Sequence, residues 1–139
     1  DMAFCLIDNV EMTLQFAGAY RPLLLIRDGK MVVYEGDRMP VGVHYLQNEP
    51  FHNIKIDIKK DDILYMYSDG FSTQPGQAPE NIKFGEKRVR EMISRYHNLP
   101  FDQQLKKFDQ IFDDWRKPSS SEAAEIEQFD DVLIVGVKI

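Results

Sequence analysis

The sequence has little of what usually announces a binding chemistry. A single cysteine, Cys5, rules out an internal disulfide, and the three histidines, His44, His52 and His97, stand too far apart to give a zinc-like Cys/His spacing. Each histidine reads as a surface or loop residue. Positive charge is also short: 17 Lys and Arg face 23 Asp and Glu, for a net charge of -6. That balance argues against nucleic acid or an anionic membrane as the main partner. An acidic chain that handled phosphate would need a metal to offset the repulsion. No apolar run approaches the roughly 20 residues that a membrane-crossing helix needs, and no signal peptide pattern is present. The expected location is therefore cytoplasmic, with no membrane contact from this segment. What is present is the composition of one globular domain: 139 residues, 43% hydrophobic and 29% charged.

Strand patterns open the chain. Ala3, Cys5 and Ile7 alternate with Phe4 and Leu6 until Asp8 and Asn9 supply a turn, and a second strand follows from Met12 to Ala17. Asp28 and Gly29 separate Leu23 to Arg27 from Met31 to Tyr34, a hairpin signal, because a type I′ turn needs positive φ at both central residues. Three or four such strands in a row predict an antiparallel meander. Residues 36–51, punctuated by Pro40, Gly42 and Pro50, read as a loop crossing to another layer. Ile54, Ile56 and Ile58 alternate with charged residues, Lys59 to Asp62 form a charged turn, and an apolar strand runs from Ile63 to Tyr67.

The stretch 71–81 is rich in Pro, Gly and Gln and is expected to be an exposed loop. Val89, Met92, Ile93 and Tyr96 keep helical spacing over 86–96. A second helix is predicted over 102–116, with Leu105, Phe108, Ile111, Phe112 and Trp115 on its packed face. Residues 118–125 read as a loop. The closing strand, Val132 to Ile139, is almost wholly apolar and is expected to be central in its sheet. Strands first, then helices, then a strand predict a layered α+β fold and exclude an alternating parallel βαβ one. A chain that enters a strand at residue 2 is also what a fragment of a longer protein would show.

Two blocks carry the chemistry. Ile63 to Tyr67 runs into Ser68, Asp69 and Gly70, while Asp130 and Asp131 open the closing strand. Alone, Asp-Gly after a strand is an ordinary turn, and an Asp pair can simply precede a strand. If the two strands are antiparallel neighbours, however, their carboxylates meet on one rim. Carboxylates without sulfur or imidazole suit Mg²⁺ or Mn²⁺.

Residues 16–29 (FAGAYRPLLLIRDG), 39–42 (MPVG), 61–70 (DDILYMYSDG) and 129–137 (FDDVLIVGV) together resemble, in order and spacing, the C-terminal half of a SpoIIE/RsbU-type serine phosphatase, a bacterial branch of the PPM (protein phosphatase 2C-like) family. The resemblance implies two packed antiparallel β-sheets flanked by helices, with the whole of 1–139 being the C-terminal portion of one phosphatase domain, incomplete at its N-terminus. It implies that Asp69 and Asp130 are catalytic metal ligands for two Mn²⁺ or Mg²⁺ ions in the complete domain. Gly70 and Asp131 become supporting neighbours, with Gly70 keeping the backbone clear of the metal. The implied reaction is hydrolysis of phosphoserine or phosphothreonine on an anti-anti-sigma-like regulatory protein by a metal-bound water, under control of an upstream sensor domain.

Departures from the family pattern matter too. The family's Asp near a Gly-His-Gly-like turn is not in this sequence, so these residues alone are expected to show little activity. Sheet edges left uncovered by missing strands invite homodimerisation. Ser72 and Thr73 stand where many relatives carry an acidic residue, and Ala19 and Tyr20 stand where relatives often have a histidine. The alternative, from another functional class, is a non-catalytic phosphatase-like interaction module, which need show no metal response that depends on Asp130.

Overall fold

The computed structural model describes residues 1–43, 49–76, 82–117 and 126–139. They form two compact units, one comprising Asp1–Ser68 with Ile134–Ile139 and the other Asp69–Leu133. In chain order the elements are β1 (Met2–Asp8), β2 (Thr13–Ala19), β3 (Leu23–Arg27), β4 (Lys30–Tyr34), β5 (Ile54–Asp57), β6 (Ile63–Tyr67), α1 (Gly70–Thr73), α2 (Glu86–Tyr96), α3 (Phe101–Arg116) and β7 (Ile134–Lys138). The expected α+β class holds, with all named strand pairs antiparallel.

The first unit holds the seven strands found among the described residues, in two sheets ordered β1-β2-β5 and β4-β3-β6-β7. The expected single meander is corrected. β1 with β2 and β3 with β4 are hairpins in different sheets, and β2 pairs with β5 rather than β3. The chain changes sheets at Tyr20–Pro22, where Tyr20 takes a left-handed φ of 60° and Pro22 has no N–H to offer a ladder. The β3–β4 turn has positive φ at both Asp28 (51°) and Gly29 (71°), as the hairpin signal required. Residues 36–43 and 49–53 connect the two sheets, in line with the predicted crossing; residues 44–48, His44 among them, lie outside the described residues.

One core joins the sheets. Leu14, Phe16, Ile56 and Ile58 from the first meet Leu23, Leu25 and Leu64 from the second, each fully buried aliphatic or aromatic side chain contributing about 1.5–3 kcal/mol. The Cys5 thiol also reaches the Met66 sulfur across the layers at 3.4 Å, and burial pushes its pKa up to about 11. β1 alternates strictly, with Ala3, Cys5 and Ile7 half-buried while Met2, Phe4 and Leu6 are exposed. Among the described residues β7 occupies an edge of its sheet rather than the expected centre. Its apolar sequence misled because β7 is only half-buried on one face, and Val135 is exposed on the other.

The predicted charged turn at 59–62 contains a buried staple. Asp62, 1% exposed, accepts from Arg27 Nε at 2.8 Å and Nη2 at 2.6 Å, and from the Lys59 N–H at 2.8 Å. Burial alone would raise the Asp62 carboxyl pKa. The Arg27 guanidinium and the Lys59 N–H outweigh it and hold the pKa below the usual carboxylate value of 3.8.

In the second unit, α2 spans the residues predicted, with Val89, Met92 and Ile93 buried. α3 starts one residue earlier than predicted and buries Gln104, Phe108 and Phe112. Leu105, assigned to its packed face, is 60% exposed. Gln104 takes the inner position because its amide donates to the carbonyls of Leu99 (2.8 Å) and His97 (3.2 Å) at the α2–α3 turn. Among the described residues, no helix is long and apolar enough to cross a membrane.

Candidate metal and phosphatase site

Strand pairing delivers the two sequence blocks to one place. Tyr67 at the end of β6 pairs with Ile134 at the start of β7, and Ile63 at the other end pairs with Lys138. The chain therefore leaves the sheet at Ser68 and re-enters at Ile134 on adjacent strands. Within the second unit, its two ends are packed backbone against backbone. A Cβ built on Gly70 would collide with the Asp131 carbonyl oxygen, and would lie 2.8 Å from the Asp131 carbonyl carbon and 3.2 Å from the Asp130 carbonyl oxygen. Only glycine allows so close an approach. The conditional step in the sequence argument, that the two strands be antiparallel neighbours, is met.

Asp69 precedes α1 in a helical backbone conformation (φ −79°, ψ −10°), and its side chain does not cap the helix. Its carbonyl is well used: it accepts the Thr73 N–H at 2.8 Å and the hydroxyls of Thr73 (2.9 Å) and Ser72 (3.0 Å). Asp69 is half-buried, whereas Asp130 and Asp131 are exposed. Asp130 Oδ1 accepts the Asp131 N–H at 2.8 Å, and its carbonyl accepts from the Gln128 amide at 2.8 Å. These bonds stiffen the Asp pair.

The predicted exposed loop after Gly70 is a correction. Residues 70–73 are helical, and Phe71, Ser72, Gln74 and Gly76 are buried. Phe71 makes edge-on contacts with Phe84 (4.8 Å) and Phe112 (4.9 Å), and Phe84 with Trp115 (5.2 Å). This aromatic cluster pins the segment down. Residues 77–81 and 118–125, the rest of the predicted loops, lie outside the described residues. The Ser72 hydroxyl also lies 2.9 Å from Glu86 Oε1, so its one proton is shared between that carboxylate and the Asp69 carbonyl and is engaged locally.

Sequence reasoning passed over Gln74. It is fully buried; its Oε1 accepts the Phe129 N–H at 2.9 Å, and its Nε2 donates to the Glu127 carbonyl (3.0 Å) and its neighbour Pro75's carbonyl (3.2 Å). Its own carbonyl accepts from Trp115 Nε1 at 3.1 Å and from the Phe84 N–H at 3.0 Å. A glutamine in a Pro- and Gly-rich stretch gives no sequence signal for such a role. Among the described residues the histidines are engaged elsewhere: exposed His52 bonds Asp37 at 2.7 Å, and His97 closes α2.

The donors present suit a hard cation, being carboxylate oxygens with no competing sulfur or imidazole. They are part of a set: among the described residues no group of three or more His, Cys, Asp or Glu side chains could hold a metal ion.

The family model for Stage II sporulation protein E (SpoIIE) matches residues 1–139. The chain belongs to the SpoIIE family. Solved structures of similar fold include the SiaA-PP2C domain of Pseudomonas aeruginosa, with a TM-score of 0.80 and 23% identity over 99% of this chain and 50% of that one. The PP2C phosphatase domain of SpoIIE from Bacillus subtilis, solved with a fragment of its regulatory domain, gives 0.67 and 17% over 97% of this chain and 36% of that one. The same phosphatase domain presoaked with Mn gives 0.63 and 16% over 99% and 56%. At these identities the likeness establishes a PP2C-like fold. The SpoIIE-family chain spans about half the length of these solved relatives, or less. No curated protein matches it in sequence.

Proposed function

We propose that this SpoIIE-family chain is the C-terminal portion of a metal-dependent protein serine/threonine phosphatase domain. The observation that carries the reading is the backbone contact of Gly70 with Asp130–Asp131. It supports the reading by bringing the backbones of the Ser-Asp-Gly and Asp-Asp blocks into contact.

In this reading Asp69 and Asp130 hold Mn²⁺ or Mg²⁺, together with carboxylates from the rest of the domain. Bound, such ions supply Lewis-acid charge and an activated water for in-line attack on phosphorus. Asp69 acts from a half-buried position whose backbone is anchored through its carbonyl to Ser72 and Thr73. Asp130 acts from the exposed side, where its neighbour's N–H orients it. Gly70 lets the two segments touch, and Asp131 extends the negative rim that draws in cations. The substrate is a phosphoserine or phosphothreonine protein of the anti-anti-sigma class, an upstream sensor domain regulates the reaction, and the setting is cytoplasmic signalling. The presoaking of a fold relative with Mn supports the choice of metal for that relative and, by extension, its trial here.

The test is metal-dependent hydrolysis of a phosphoserine peptide by the full-length protein. Asp69→Asn and Asp130→Asn should each lower the rate about 100-fold or more while leaving the fold intact. Full turnover by Asp69→Asn would sink the proposal.

A further inference from the structure

Glutamine at position 74 is buried completely in the second unit, yet its side chain bonds mainly to a distant part of the chain. One end of the amide accepts from Phe129, the residue before Asp130, and the other donates to Glu127. Gln74 itself lies one turn beyond Asp69. We propose that Gln74 is a positioning residue for the carboxylate site: by gripping residues 127–129 it fixes Asp130 beside Asp69, and so sets the affinity for a divalent cation. The inference rests on the reading of Asp69 and Asp130 given above.

The chemistry of the grip explains the residue type. The 127–129 backbone presents a carbonyl and an N–H two residues apart, and only a side chain carrying both a donor and an acceptor can meet both. Glutamate would keep the acceptor but put charge against the Glu127 carbonyl. Methionine would match the shape and offer neither. The grip is itself held, because the Gln74 carbonyl takes the Trp115 indole N–H and the Phe84 N–H, and Gly76 lies under the Trp115 ring, where a Cβ would come within 2.6 Å of Cζ2. α3 thus fixes Gln74, Gln74 fixes Phe129, and Phe129 leads directly into Asp130. A glutamine that served packing alone would affect stability without affecting cation affinity.

The experiment compares the full-length wild type with Gln74→Met, and reads three things well below the melting temperature. These are hydrogen exchange of the Phe129 amide, the Mn²⁺ dissociation constant by direct titration, and the rate at saturating Mn²⁺. Expected are faster exchange at Phe129, a dissociation constant raised roughly 10- to 100-fold, and a rate that largely recovers at saturating metal. Gln74→Leu, which removes donor and acceptor without adding a charge, carries the same expectation should the Met variant not fold. Mn²⁺ affinity unchanged in a folded Gln74 variant overturns the inference, whatever its melting temperature. Asp69→Asn, titrated in parallel, separates the two ideas. If it too leaves Mn²⁺ binding intact, the metal-site reading fails; if it abolishes binding while Gln74 variants bind normally, only the positioning role fails.

Discussion

Replacing Gly70 by alanine sets two effects against each other. Gly70 opens α1 and has no left-handed φ to protect, so propensity alone favours alanine by about 1 kcal/mol. The packing opposes it. The new Cβ would overlap the Asp131 carbonyl oxygen and sit 2.8 Å from the carbonyl carbon. Both obstacles are backbone, so no rotamer change relieves them, and either α1 or the 130–131 segment must move. Overpacking of this kind costs about 1–3 kcal/mol, and a backbone obstacle puts the cost near the upper end. After the propensity gain is subtracted, a net loss of about 1–2 kcal/mol remains, which lowers the melting temperature by roughly 3–8 °C in a domain of this size. Thermal unfolding of Gly70→Ala and wild-type full-length protein, followed by circular dichroism, measures it. An unchanged or raised melting temperature would refute the close approach on which the site geometry depends.

Two further outcomes follow from the packing. Asp62→Asn should destabilise the protein by about 1–3 kcal/mol at neutral pH, because it takes the charge out of the two hydrogen bonds from the partly exposed Arg27 guanidinium. The folded Asp62 carboxyl titrates below its ordinary 3.8, so its stabilisation is complete above that value and is lost as pH falls through the folded pKa. Chemical unfolding from roughly pH 5 down to pH 2 should show a steeper decline in the wild type than in Asp62→Asn, and parallel profiles would contradict this. Trp115→Phe removes the indole N–H bond to Gln74 and weakens the stacking of Arg88 over the ring at 5.1 Å; a loss of about 1–2 kcal/mol is expected in denaturant titration, and no change in midpoint would count against the buried bond.

Local signals were legible where the chemistry is local. Asp28 and Gly29 announced their turn because few other residues accept positive φ, and α2 was bounded correctly because Val89, Met92 and Ile93 repeat at helical spacing. The pairing of β6 with β7 was readable as a condition, since each carries an Asp block at the matching end. What escaped depends on distant partners. β7 reads as central because apolar strands usually are, and nothing in its own residues says that no described strand pairs with its outer side. The division into two sheets turns on Tyr20 and Pro22, which read equally well as a wide hairpin. Gln104 displaced Leu105 from the inner face because two carbonyls at the α2–α3 turn needed donors. Gln74 and Asp62 were invisible for the same reason: a buried polar residue is identified by what it bonds, and those partners lie 55 and 35 positions away.

The pairing of Tyr67 with Ile134 is also a statement about assembly. Closing a disordered loop of that length costs on the order of 4 kcal/mol in chain entropy, a heavy charge on a single edge strand. The contact of Gly70 with Asp131 shortens the open span, because once it forms the chain on either side of it is already held together when β7 has to find β6. Long-range pairing is thereby converted into a near-local step. A backbone contact that only glycine permits is in this way also a device that eases the long-range pairing of β6 with β7.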